Sequence, residues 1–389
     1  MNPPPLNIGV YTPIYLAATM TFIHRQLVGV RDPLRPIALT SNPLVNRDLF
    51  PLDSIIECKR TWAEKAVTRI NYSLFANYKI LPSRQRKFWA NTIQQHDIRL
   101  LHVHFGHMGI KLLPLAKQFN LPLLVTFHGT DASTLLQRRQ YRTDLKKLFA
   151  YATVIAVSDK IKSILIANGA NPERVVRHYI GVPLDHFPFV TRSAPQQKMA
   201  SGEQLTFLQV SRFVEKKGHE FTIQAFGKFT ATYPNAVLHL IGDGPRQSEM
   251  VRLVEALGLT EKVRFFGRID ATDIPTHLAQ ADVLLQHSVT AANGDQEGLP
   301  ITILEAMASG MPVISTHHAG IPEAIIDGQT GFLVNERDVA AYVDKLHALA
   351  TVDQTMGEQA AARVRQLFDI NTQNQALNDL YFQQLRINL

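Results

Sequence analysis

Residues 297–312 read Glu297-Gly-Leu-Pro-Ile-Thr-Ile-Leu-Glu305-Ala-Met-Ala-Ser-Gly310-Met-Pro312, and their punctuation dictates local structure. Gly298 and Pro300 open a helix, since proline suits a first helical turn, and Gly310 with Pro312 closes it ahead of the apolar strand 313–316. A helix running directly into a short β-branched strand is one step of βα alternation, and the alternation continues outward in both directions. Strands are expected near 205–211, 236–241, 262–266, 281–285, 312–316 and 331–334. In the first half they are expected near 6–11, 35–40, 100–105, 122–127, 153–157 and 174–180. Amphipathic segments near 60–79, 84–96, 107–119, 135–150 and 159–168 separate the earlier set. The fold class is therefore α/β, with two doubly wound, Rossmann-like domains. The boundaries read as 1–185, an aperiodic Pro/Ser/Gln linker at 186–204, a second domain at 205–370, and a C-terminal helix at 371–389 that packs back on the first domain.

Composition agrees. A chain of 389 residues exceeds the ~250–300 at which single cores stop growing. Its 46% hydrophobic and 19% charged content exclude a disordered or fibrous protein. The lone Cys58 excludes an internal disulfide, a zinc ribbon and a CxxC redox pair, so a reducing compartment is expected. Residues 3–23 carry no charge, but they lack a basic n-region and contain Pro13, which suits a buried strand and loop rather than a signal. A cytoplasmic protein, peripheral at the inner face of the plasma membrane, is the expectation. Residues 1–195 hold 25 Lys+Arg against 11 Asp+Glu, whereas 196–389 hold 15 against 22. A basic first half suits a phosphorylated ligand or an anionic surface, and no helix-turn-helix, zinc finger or RNP signature points to nucleic acid.

The chemistry lies where βα units end. The N-terminus of the 300–310 helix, with free N–H groups and the positive end of its dipole, points out of the carboxyl edge of a parallel sheet and favours a phosphate. Glu297 and Glu305 beside it are acceptor-only groups, poor for phosphate and good for sugar hydroxyls. Ser211-Arg212-Phe-Val-Glu-Lys216-Lys217-Gly218 follows the strand near 205–210 and brings cations to the same edge for a diphosphate. No Asp-x-Asp occurs, so a chelated metal lacks its usual carboxylate pair, and no metal or other cofactor is expected. His102, His104, His107 and His128 invite a metal reading, but no carboxylate or cysteine completes a shell. Gly242-Asp-Gly244-Pro245 lacks the third glycine of a dinucleotide fingerprint and reads as a tight turn.

Arg212-x4-Lys217-Gly218, Glu297-x7-Glu305 and Gly320-Ile-Pro-Glu323 resemble the retaining glycosyltransferases grouped as family 4, which implies the GT-B fold, two doubly wound Rossmann-like domains facing a central cleft. The first half carries His104-Phe-Gly106, Thr126-Phe-His128-Gly-Thr-Asp131, Val157-Ser158 and Tyr179-Ile-Gly181-Val182 in family order, so the resemblance spans nearly the whole chain. Thr21-Phe-Ile23, His102-Val-His-Phe-Gly106 and residues 288–295 look most like bacterial exopolysaccharide enzymes of the colanic acid and amylovoran kind.

The resemblance implies transfer of a sugar from a UDP- or GDP-sugar to a hydroxyl of a lipid-linked or oligosaccharide acceptor, with retained configuration. It implies catalytic roles for His128, Arg212, Lys217 and Glu297. Donor contacts would come from Gly298, Leu299, Pro300, Glu305, Arg268, Ile269 and Gly181. Tyr15, Thr21, His104, Phe105 and Asp131 would line the cleft toward the acceptor. The family's usual glycine pair after the first strand is replaced by Tyr11-Thr-Pro-Ile-Tyr15. A sugar-nucleotide epimerase, a glycosyl phosphorylase or a non-catalytic nucleotide-sugar binding protein of this architecture is the alternative.

Residues 59–89 hold eight Lys/Arg against one acid, Glu64, together with Trp62, Tyr72, Phe75, Tyr78, Phe88 and Trp89. That interleaving suits an anionic membrane interface, whereas Trp62, Ala66, Ile70 and Leu74 at helical spacing suit ordinary packing.

Overall fold

The structure is a computed structural model that describes residues 5–16, 20–41, 47–62, 64 and 81–386. It divides into two compact units: the first runs through Gly181 and resumes at Asn371, and the second spans Val182–Ile370.

The first unit is built on β1 (Leu6–Thr12), β2 (Leu34–Thr40), β3 (Ile55–Glu57), β4 (Ile98–His104), β5 (Leu123–Phe127), β6 (Thr153–Ala156) and β7 (Val175–Arg177). All are parallel, in the order β3-β2-β1-β4-β5-β6-β7. Helices on both faces bury whole strands, which is why β5, Leu-Leu-Val-Thr-Phe, shows no polar alternation. Two described elements of this unit went unseen in the sequence. β3 is three half-buried residues, and helix Thr21–Val28 offers only Ile23 and Leu27 as buried positions, too few to stand out beside a charge-free loop. The C-terminal helix Ile370–Leu385 places Leu377, Tyr381 and Phe382 in the same core as Ile8, Leu100 and Leu124.

The second unit carries β8 (Leu205–Val210), β9 (Ala236–Ile241), β10 (Val263–Gly267), β11 (Val283–Leu285), β12 (Val313–Thr316) and β13 (Phe332–Val334). Their order is β10-β9-β8-β11-β12-β13, again all parallel. The chain reverses its direction of winding between β8 and β11, so the loops leaving those strands lie at the carboxyl edge, the place where such sheets bind ligands.

Residues 186–204 differ from the expected linker. Arg192 donates to the carbonyls of Leu278, Ala281 and Ser309, Val190 N–H donates to Ser309 O at 3.1 Å, and Pro195–Ser201 is a helix whose Lys198 pairs with Asp282 at 2.8 Å. The segment is part of the second unit, held by polar contacts and by isolated buried residues such as Phe187 and Ala194, which make no hydrophobic period to read.

Candidate functional site

At the β8/β11 switch of the second unit, Lys217 Nζ lies 3.0 Å from Glu297 Oε1, both largely buried. Lys217 sits in the single turn Glu215–Lys217 that follows β8. Gln209 of that strand donates to Lys217 O at 2.9 Å, and Val289 N–H donates to Lys216 O at 2.9 Å. Lys216 pairs with Asp295 at 3.1 Å, and Ala292 N–H donates to Glu215 Oε1 at 2.8 Å. The loops after β8 and β11 are thus stitched along their length. Burial pushes the Glu297 carboxyl up, and the Lys217 and Lys216 ammonium groups more than offset this, holding it below the usual carboxylate range.

Arg212 stands exposed on the same loop, its carbonyl accepting from Val214 N–H at 2.8 Å and its guanidinium making no hydrogen bond or ion pair among the described residues. A Cβ at Gly242 would come within 2.1 Å of Ser211 O, so the loop after β9 backs the Arg212 loop at a distance only glycine permits. The carbonyl of Gly298 accepts from Gly320 N–H at 3.0 Å, Leu299 and Pro300 are buried, and Pro300 precedes helix Ile301–Ala308, whose first turn has no side-chain cap and whose second turn holds the buried Glu305. Arg268 and Ile269 leave the end of β10, at the far edge of the sheet and two strands from β8.

His318 and Glu336 complete this edge and were not anticipated. His318 Nε2 accepts from Glu297 N–H at 3.1 Å, and His318 Nδ1 donates to Glu336 Oε1 at 2.6 Å. The one available signal was a His-His pair directly after β12, at the same edge as the glutamates.

In the first unit, β4 and β5 deliver His104 and His128 side by side, Nδ1 to Nε2 at 3.0 Å with stacked rings. Phe105 and Phe22 flank His128 at ring separations of 4.9 and 5.1 Å. Phe105 holds φ at 76°, a strained setting for a residue with a side chain. Desolvation, reinforced by the nearby His102, lowers His128 to about 3, so the ring is neutral at physiological pH. His102, also neutral, is held by Tyr381 and Thr126, each at 2.7 Å. Among the described residues no group of three or more His, Cys, Asp or Glu is placed to hold a metal ion.

Several expected roles change. Asp131 does not face an acceptor: it is 1% exposed, its Oδ2 accepts from Gly106 N–H at 2.8 Å, and its Oδ1 accepts from His128 and Gly129 N–H at 3.0 and 3.1 Å. It ties the His128 turn to the start of helix Gly106–Gln118, which has no side-chain cap of its own. Tyr15 is likewise interior, with its hydroxyl donated to Phe50 O at 2.6 Å. Thr21 begins its helix beside Phe22, and Gly181 is buried at the end of the unit. Trp89 cannot sit at a membrane surface, because it is 2% exposed with its ring 5.9 Å from Tyr11, whereas Trp62 is 84% exposed. Ala66, Ile70, Leu74, Tyr72, Phe75 and Tyr78 lie outside the described residues.

Known proteins resemble this chain in sequence and in fold. The model described as "Glycosyl transferases group 1" matches residues 191–364, and that described as "Glycosyltransferase Family 4" matches 58–186. A protein named as a colanic acid biosynthesis glycosyltransferase, WcaL of Salmonella typhimurium, is 30% identical over 278 residues, 71% of this chain and 67% of its own. The amylovoran biosynthesis glycosyltransferase AmsK of Erwinia amylovora is 32% identical over 243 residues, covering 61% of this chain and 58% of its own. Among solved structures, Anabaena HepE in complex with UDP-glucose superposes with a TM-score of 0.78 over 97% of this chain and all of that one, at 19% identity, a likeness of fold. Two parallel-sheet units and these relatives agree: the chain belongs to the family 4 glycosyltransferases and has their GT-B fold.

Proposed function

We propose that this glycosyltransferase moves a sugar from a nucleoside diphosphate sugar, UDP- or GDP-linked, to a hydroxyl of a lipid-linked or oligosaccharide acceptor during exopolysaccharide assembly, with retention of configuration. The observation that carries the reading is the Lys217–Glu297 pair at the β8/β11 switch point, with exposed Arg212 on the same loop. As the bond from the anomeric carbon to the diphosphate oxygen breaks, negative charge grows on the leaving group, and Arg212 and Lys217 neutralise it. Preorganised charge of this kind typically supplies ~10²–10³ in rate per donor. Glu297, held ionised by Lys217, accepts from sugar hydroxyls, Glu305 from those of ribose, and Gly298 and Leu299 offer backbone groups. The acceptor oxygen bonds to the anomeric carbon on the face the diphosphate leaves, and its proton passes to the departing diphosphate. Neutral His128 hydrogen-bonds the sugar without adding charge. Arg268-Ile269 and Gly181 contribute to donor binding, and Thr21 and Phe105 border the acceptor, whereas the expected acceptor residue His104 is 0% exposed and sits against His128 instead.

Support for the acceptor class comes from relatives named for colanic acid and amylovoran biosynthesis. No described helix is long and apolar enough to cross a membrane. The exposed Lys59, Trp62, Arg86 and Lys87 of the basic first unit suit contact with an anionic membrane that carries such an acceptor.

The test is a binding titration with UDP-, GDP- and ADP-sugars, then incubation of the bound donor with lipid-linked acceptors in excess EDTA. An α-linked product from an α-linked donor is expected. Inversion, or activity restored only by Mg²⁺ or Mn²⁺, would refute the proposed chemistry.

A further inference from the structure

The long connection from β11 to helix Ile301–Ala308 carries Glu297 yet contains no helix or strand, so something outside it must fix its path. One carboxylate holds both its beginning and its end. Glu336, just after β13, accepts from Thr290 N–H at 2.7 Å and from Thr290 Oγ1 at 3.2 Å. It also accepts from His318 Nδ1 at 2.6 Å, and His318 Nε2 in turn receives Glu297 N–H at 3.1 Å. Arg337 closes the set, 3.2 Å from the carboxylate and donating to Thr290 O.

We infer that Glu336 and His318 are positioning residues that lock the backbone of Glu297 and so aim its carboxylate at Lys217. The hydrogen-bond directions admit one arrangement. A backbone amide can only donate, so His318 Nε2 must present its lone pair, and a neutral imidazole then carries its hydrogen on Nδ1, where Glu336 accepts it. His318 is 1% exposed, so water does not compete for either nitrogen. Glu336 is held below the usual carboxylate range: burial raises it, and the hydrogen bonds from Thr290 and His318 outweigh that. The carboxylate therefore remains an acceptor for both ends of the loop. Neither residue need touch substrate. The inference rests on the donor-site reading given above, because it assigns the dyad the task of presenting Glu297 to the donor.

The experiment uses the full chain with three variants, His318→Leu, His318→Gln and Lys217→Ala, and reads the His318 tautomer by ¹⁵N NMR alongside kcat and donor Kd. The expected wild-type tautomer is Nδ1–H. Leucine removes both donor and acceptor and should lower kcat by ~10–100-fold, the size of effect expected when reacting groups are misplaced by about 1 Å. Donor Kd and thermal stability should change far less. Glutamine keeps one donor and one acceptor on a planar amide and should restore most of kcat. An Nε2–H tautomer, or glutamine and leucine variants with the same kcat, would overturn the positioning role. If Lys217→Ala is crippled while His318→Leu is normal, the dyad alone has failed. Normal kinetics for both would mean the donor-site reading has failed, and the tautomer measurement still reports on the dyad.

Discussion

Gly218 and His287 meet backbone to backbone: a Cβ at Gly218 would lie 1.8 Å from the His287 carbonyl oxygen, and Gly218 itself has φ of +58°. The residue after Lys217 must therefore be glycine for the loop after β8 to lie against the end of β11. Gly218→Ala should cost roughly 1–2 kcal/mol from the left-handed backbone alone and more from the contact. Urea denaturation and a transfer assay should both show a loss. Wild-type stability in the alanine variant would contradict the packing described.

Asp131 gives a contrasting prediction, because its work is structural. Asp131→Asn keeps one carbonyl oxygen but turns an amino group toward one of the three donating amides, and an unpaired buried donor costs ~1–3 kcal/mol. Asp131→Ala should cost more, since it strands all three amides. The urea midpoint should fall in that order while the folded fraction keeps its donor affinity. A collapse of transfer at unchanged stability would instead mean that Asp131 touches substrate.

The buried histidines set an acid limit on the first unit. Desolvation lowers His102, His104, His128 and His178 in the folded state, His128 to about 3. Each folded pKa lies below the unfolded one, so the unfolded chain binds more protons and stability must drop as pH falls below ~6.5. The loss approaches ~1.4 kcal/mol per pH unit per histidine down to the folded pKa. Denaturant midpoints measured at pH 7 and pH 5 should differ clearly. Equal midpoints would show that these rings already carry protons or stay hydrated.

Membrane contact is tested by sedimentation with anionic and neutral vesicles. About 1 kcal/mol per engaged cation predicts stronger binding to the anionic set, weakening as the Debye length shrinks from ~10 Å at 0.1 M to ~3 Å at 1 M salt. Trp62→Ala with Arg86 and Lys87 neutralised should abolish the difference. Arg84 is a poorer probe, since it is already paired with Glu64 at 2.8 Å. Equal partitioning of the wild type would end the proposal.

The strand sequence was legible because parallel strands buried on both faces, such as 123–127 and 313–316, are continuous apolar runs bounded by turn residues. Gly298, Pro300 and Gly310 likewise marked one helix from end to end. Side-chain direction was not legible. Tyr15 and Asp131 occupy motif positions near functional loops, yet one donates into the core and the other is consumed by backbone amides. The Glu336–His318 link was hidden because it depends on β12 and β13 being neighbours, a fact of sheet order rather than of local pattern.

The central claim is that Arg212 and Lys217 stabilise the leaving diphosphate. It is tested most directly by kcat/KM for sugar transfer in Arg212→Ala and Lys217→Ala, measured beside thermal unfolding. Each variant should lose ~10²–10³ in kcat/KM, and exposed Arg212 should do so with no change in melting temperature. Near-normal kcat/KM in both variants would contradict the account.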